Sequence, residues 1–147
     1  MIKLRQAIQK DYKYLYKLKK KTLKEYIAKT WGWDEGWQKD YFSKNFKPDQ
    51  IKIIMKSATE IGCISSIEEE DSYYLSVIKI LPKYQNQGIG TRLIKDIILK
   101  AEKNNKPVYL QVLKTNNKAK NLYKRLGFLI EGETDTHNKM VYKDFRG

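Results

Sequence analysis

With 147 residues, the chain has room for one packed core and little for a second. Hydrophobic residues make up 41%, which argues against global disorder, and no apolar run approaches the roughly 20 residues that a membrane-crossing helix needs. A single cysteine, Cys63, and a single histidine, His137, exclude an internal disulfide and a Cys/His zinc site, so no metal is expected.

The net charge of +13 favours anionic partners, yet the lysines are dispersed along the chain and select none of them. The opening MIKLRQAIQKDYKYLYKLKKK is too charged for the apolar stretch of a signal peptide, so a cytoplasmic location is the default expectation. Ile2 and Leu4 alternate with Lys3 and Arg5, which predicts a first strand over Ile2–Ala7. Asp11 is placed to cap a helix whose Tyr12, Leu15, Tyr16, Leu18 and Leu23 keep helical spacing. A second helix is predicted from Asp34, as N-cap, to Phe46, with Trp37, Tyr41 and Phe42 on one face. Strands follow at Gln50–Met55, Ile61–Ile67 and Tyr73–Leu81, the last two joined as a hairpin by the acidic turn Glu68–Ser72. Ile89–Lys103 is an amphipathic helix, Pro107–Leu113 a short strand, and Asn117–Leu126 a helix stopped by Gly127. Phe128–Glu133 and Lys139–Phe145 close the chain as a hairpin. This order predicts a mixed α/β (α+β) domain over residues 1–147. It has a mostly antiparallel sheet of six to seven strands with helices on both faces.

Two segments carry chemistry. In Ile80-Leu-Pro-Lys-Tyr-Gln-Asn-Gln-Gly-Ile-Gly90 a strand runs into a glycine-bearing loop and then a helix. Gly88 and Gly90 allow close backbone approach, and the following helix presents free N–H groups and a positive dipole end. Arg92 and Lys95 add charge nearby. The loop is a candidate phosphate cradle, although ordinary strand-to-helix turns use glycine in the same way. No Gly-Lys-Ser/Thr ends it, so it is not a P-loop, and the third glycine of a dinucleotide fingerprint is missing. In the second segment Asn116 and Tyr123 lie seven residues apart, nearly two helical turns, and so fall on about the same face. The plain reading makes Asn116 a helix cap and Tyr123 a core aromatic.

Together the two segments resemble the GCN5-related N-acetyltransferases, the GNAT superfamily. The family's Gln/Arg-x-x-Gly-x-Gly/Ala signature is matched by Gln85, Gly88 and Gly90, and its later asparagine–tyrosine segment by Asn116, Ala119, Leu122, Tyr123, Gly127 and Phe128. The resemblance implies acetyl transfer from acetyl-CoA to a primary amine of a small molecule or peptide, by direct attack in a ternary complex. It implies that strands Tyr73–Leu81 and Pro107–Leu113 splay apart. The backbone of Ile78, Lys79 and Ile80 then bonds the cofactor's pantetheine arm, with the oxyanion expected on a backbone amide there, as at Ile80. The pyrophosphate falls on Gln85, Asn86, Gln87, Gly88, Ile89, Gly90 and Thr91, with Asn116 beside the cofactor. Tyr123 becomes the acid that protonates the leaving sulfur, since a phenol of ordinary pKa near 10 keeps its proton at neutral pH. Where some relatives carry a glutamate this chain has Gln111, which cannot take a proton, so His137 or water is left as the base, with a surface role as the plain alternative for His137. Asp34 and Glu35 are further candidates.

Family members usually build the acceptor site from the first two helices. Here that region holds three tryptophans within Thr30–Trp37 and two adjacent acids. Trp31, Trp33, Asp34 and Glu35 are therefore candidates to hold a cationic amine by cation–π and ionic contacts. Trp37 is read as packing on the sheet. A peptide N-terminus, a lysine, a polyamine and an aminoglycoside all stay open as acceptors, as does a homodimer. A non-catalytic acetyl-CoA sensor is the nearest rival, kept alive by Gln111. A basic nucleic-acid-binding module is the more distant one, since the lysine runs form no recognised reading motif.

Overall fold

The computed structural model describes residues 1–143, so the predicted strand end at Phe145 lies outside them. Seven strands form one sheet in the order β1-β2-β3-β4-β5-β7-β6. By contact density the chain divides into two compact units. Met1–Ser65 with Val77–Gln87 form the first, and Ser66–Ser76 with the described residues from Gly88 onward form the second.

The first unit begins with β1 (Ile2–Gln6), α1 (Tyr12–Trp31) and α2 (Glu35–Asn45). It continues with β2 (Lys52–Lys56), most of β3 (Thr59–Glu68) and the end of β4 (Tyr73–Ile80). β1 pairs antiparallel with β2, and β2 with β3, with a register shift between Ile54 and Met55. Its core joins Ala7, Leu15, Leu18, Ile53 and Cys63, and Tyr14, Phe42, Phe46, Val77 and Leu81 pack against that cluster. Each large aliphatic side chain fully withdrawn from water, such as Leu18 or Ile53, contributes about 1.5–3 kcal/mol.

Three expectations about side chains change here, and one about a boundary. Asp11 precedes α1 but does not cap it, because its carboxylate takes both Arg5 guanidinium nitrogens at 2.9 Å and the Ile8 N–H at 2.8 Å. Phe42 leaves the face of Trp37 and Tyr41: it joins the core, edge-on to Tyr12 and Tyr16 at 5.2 and 5.4 Å. Trp37 does not pack on the sheet. It is 59% exposed and stacks flat on Tyr41 at 5.1 Å. The strand predicted from Gln50 starts later, because Pro48–Gln50 closes a single 3-10 turn.

The second unit contains α3 (Ile89–Lys103), β5 (Val108–Leu113), α4 (Asn117–Arg125), β6 (Leu129–Glu133) and β7 (His137–Tyr142). Leu93, Ile94, Ile97, Ile98 and Ala101 form the buried stripe of α3, at the predicted spacing. β7 pairs antiparallel with both β5 and β6. β4 pairs in parallel with β5, in register at Tyr73–Val108 and Tyr74–Tyr109. Gly127, at φ +102°, occupies the predicted position past the end of α4.

Candidate active site

The glycine loop is built from local bonds. Pro82–Tyr84 makes a 3-10 turn after β4, and the Gln85 side-chain amide donates to the Ile80 carbonyl at 2.8 Å, folding the loop back on the strand. Asn86 and Gly88 take left-handed conformations, φ +63° and +80°, which asparagine and glycine tolerate best. Gly88 is the N-cap of α3 and puts no side chain on the helix's first amides. The first bond of the helical ladder is Arg92 N–H to the Gly88 carbonyl at 3.0 Å, so the amides of Ile89, Gly90 and Thr91 precede it. No acidic residue stands in the first turn of α3, and a Cβ built on Gly88 meets nothing within 4 Å. Open space, unused amides and a positive dipole end fit a phosphate group. Lys56 reaches the Gln87 side-chain oxygen at 3.3 Å and lies 5.6 Å from the Tyr84 ring, which adds positive charge beside the loop.

On α4, Asn116 is the N-cap: its side-chain oxygen accepts from the Ala119 N–H at 3.1 Å. Tyr123 is buried, with its ring edge-on to Phe128 at 5.8 Å. Burial pushes its hydroxyl up to about 12, so it holds its proton across the physiological range. His137 opens β7 opposite Leu113, with Nδ1 2.8 Å from the Thr136 hydroxyl. Its partial burial lowers its pKa and favours the neutral ring. Gln111 is exposed on β5, opposite Lys139.

In the α1–α2 region the predicted acids are engaged. Asp34 accepts from the Trp37 N–H at 2.9 Å as the N-cap of α2. Glu35 gathers Lys20 at 2.7 Å, the Trp33 indole N–H at 3.1 Å and the Tyr16 hydroxyl. Those three donors, Lys20 first, pull its carboxyl down to about 2. Trp33 is thus half-buried on Glu35, and Trp31 ends α1 with 60% of its surface exposed.

One residue of this region escaped the motif reading. Gly62 on β3 lies where an added Cβ falls 2.1 Å from the Lys79 carbonyl oxygen and 3.0 Å from the Ile80 Cα. Its missing side chain lets the backbone of Lys79 and Ile80 pass this close to β3. The available signal was an isolated glycine inside an apolar strand pattern.

Fold and loop together define an α/β protein with an open, uncapped helix N-terminus behind a glycine loop. Residues 49–130 match the family model described as the acetyltransferase (GNAT) domain, more than half of the chain. The chain belongs to the GNAT acetyltransferase family. A 55-residue stretch is 47% identical to the thialysine N-epsilon-acetyltransferase of Mus musculus, covering 37% of this chain and 32% of that protein. The match thus spans about a third of that relative's length. Among solved structures, the PaiA N-acetyltransferase of Thermoplasma acidophilum, in complex with coenzyme A, has a TM-score of 0.79. The two are 17% identical, and the match covers 98% of this chain and 99% of that one. The ribosomal-protein-S18-alanine N-acetyltransferase of Escherichia coli has a TM-score of 0.67 at 20% identity, covering 96% of this chain and 92% of that one. Both likenesses are of fold.

Proposed function

We propose that residues 1–147 act as one acetyl-CoA-dependent N-acetyltransferase domain, taking a primary amine of a small molecule or peptide as acceptor. The observation that carries this reading is the uncapped start of α3 behind Gly88, inside the stretch that matches the family model. The relatives' named substrates, from thialysine to a ribosomal-protein alanine, support an amine acceptor without choosing one. A cytoplasmic location is part of the proposal; among the described residues no helix is long and apolar enough to cross a membrane.

Bound acetyl-CoA supplies an activated acetyl thioester. In this reading the amides of Ile89, Gly90 and Thr91 hold its phosphates, with Gln85, Asn86 and Gln87 shaping the loop. The backbone of Ile78, Lys79 and Ile80 bonds its extended arm in the manner of an added strand. Asn116 orders the start of α4 beside it. Tyr123 delivers a proton from its hydroxyl, and His137 receives one on its neutral ring. Trp31 and Trp33, with Asp34 and Glu35, border the acceptor.

The direct test is release of free thiol from acetyl-CoA across an amine panel; acetyl-CoA left intact with every amine overturns the reading. Gly88→Leu is expected to weaken acetyl-CoA binding at least about tenfold by calorimetry, because the side chain fills the space over the amides. Its left-handed backbone costs only about 1–2 kcal/mol of stability, so the variant stays folded. Unchanged affinity removes the cradle. If His137 is the base, kcat/KM rises with pH through an apparent pKa below 6.5, since the ring must lose its proton to act. That acid limb is expected to vanish in His137→Ala, and its survival there removes His137 from the reaction.

A further inference from the structure

The charge that the sequence disperses gathers on one helix of the structure. α1 holds seven lysines against one acid, Glu25, a net +6 of the chain's +13. Leu15 and Leu18 turn one side of it to the core. On the side in water, Lys13, Lys17, Lys21 and Lys24 are all exposed. Spaced by four, four and three residues, they form one stripe, successive members about 4.5–6 Å apart along the axis. Trp31, the last residue of α1, comes eighteen residues after Lys13, which is about five full turns, so it lies on the same line. It keeps 60% of its surface in water.

Among the described residues nothing neutralises this stripe. Lys13, Lys17 and Lys21 have no ion pair or hydrogen bond there, and Lys24 has the Trp33 ring, 5.7 Å from its Nζ. The acids nearest in sequence are committed elsewhere: Asp11 to Arg5 at 2.9 Å, Glu25 to Lys29 at 3.2 Å and Glu35 to Lys20 at 2.7 Å. α2 shows the ordinary arrangement, with Lys44 paired one turn back to Asp40 at 3.0 Å. Four like charges on one face repel, and a bound polyanion relieves the repulsion while releasing its own condensed counterions.

We propose that this face of α1 binds a single-stranded nucleic acid, with phosphates along Lys13, Lys17, Lys21 and Lys24 and a base stacked on Trp31. The choice among polyanions follows from what repeats in each. A single strand carries an anion and a planar ring at every unit, and the stripe is a row of amines that ends on an exposed indole. An acidic peptide brings the charge without a ring at every unit. An anionic membrane takes a helix whose apolar face is free to insert, whereas that face of α1 is already packed on the core. The surface is distinct from the amides past Gly88, which hold a single pyrophosphate in the reading above, and it does not depend on acetyl transfer. With more than half of its surface in water, Trp31 stacks a base and still borders the acceptor.

The test follows a labelled oligouridylate of about ten nucleotides, within the usual span of single-strand sites, by fluorescence anisotropy. Wild type is expected to bind it with a slope of log K against log salt of about −3, the value for four phosphates on a single strand. Replacing the four lysines together (K13Q, K17Q, K21Q, K24Q) retains helix propensity and is expected to bring the slope to within about one of zero. Acetyl-CoA affinity is expected to match the wild type in that variant, and thermal unfolding checks its fold even where acetyl-CoA does not bind. Trp31→Ala is expected to weaken binding about tenfold at every salt concentration, the worth of one base stack, and to leave the slope unmoved. A steep slope that survives in the four-lysine variant overturns the surface, and so does Trp31→Ala binding at wild-type strength. Polyglutamate or phosphatidylserine vesicles bound as tightly as the oligonucleotide overturn the assignment to nucleic acid. Displacement of the oligonucleotide by acetyl-CoA moves it to the cofactor's site and overturns the proposal as well.

Discussion

Replacing Tyr123 with phenylalanine is expected to lower kcat by about 10²–10³-fold, the usual worth of a positioned proton donor, while KM for acetyl-CoA moves less than about threefold. The substitution removes one oxygen from a ring that is otherwise fixed by packing on Phe128, so the melting temperature is expected to stay within a degree or two. Burial alone drives the hydroxyl to about 12. At pH 7 essentially every molecule carries the proton, and no alkaline fall in rate from this group is expected below about pH 11. The hydroxyl has no hydrogen-bond partner among the described residues, so phenylalanine strands no buried donor or acceptor, the usual source of a large stability loss. An effect confined to kcat assigns the hydroxyl to proton transfer. Turnover within twofold of wild type removes Tyr123 from the reaction and returns it to the core.

The parts of the site that sequence made legible are those whose chemistry is local. A glycine opening a helix, an asparagine three residues ahead of the amide it caps, and a glycine just past a helix end each act within one turn of chain. Gly88, Asn116 and Gly127 accordingly stand where the pattern placed them. The misreadings are of residues whose partners lie far along the chain or on another element. Asp11 was free to cap α1 until Arg5 on β1 supplied a bidentate partner. Helical spacing groups Trp37, Tyr41 and Phe42, but only packing against α1 decides that Phe42 turns inward while Trp37 stays in water. Glu35 reads as an exposed acid near tryptophans, and its saturation by Lys20, Tyr16 and Trp33 depends on how α1 meets α2.

Gly62→Ala is expected to be the most damaging single-methyl change, lowering stability by about 3 kcal/mol, at the upper end of overpacking effects. In a chain of this length that is roughly a 10 °C fall in melting temperature. The strain is steric: the methyl carbon arrives 2.1 Å from the Lys79 carbonyl oxygen, with the Ile80 Cα at 3.0 Å behind it. Backbone atoms cannot rotate aside as a side chain does, so β3 and β4 must separate locally by about an ångström to restore ordinary contact. The Leu81 N–H to Ile61 carbonyl bond at 2.8 Å ties the same two stretches together and opposes that separation. Two measurements apportion the damage, thermal unfolding for the strain and acetyl-CoA affinity for the displaced backbone of Ile78–Ile80. If this stretch bonds the cofactor, affinity is expected to fall in the fraction that remains folded, by about tenfold for the loss of one hydrogen bond. A Gly62→Ala chain that melts with the wild type denies the close approach itself. One that melts early yet binds acetyl-CoA normally leaves the steric argument intact and takes the cofactor away from β4.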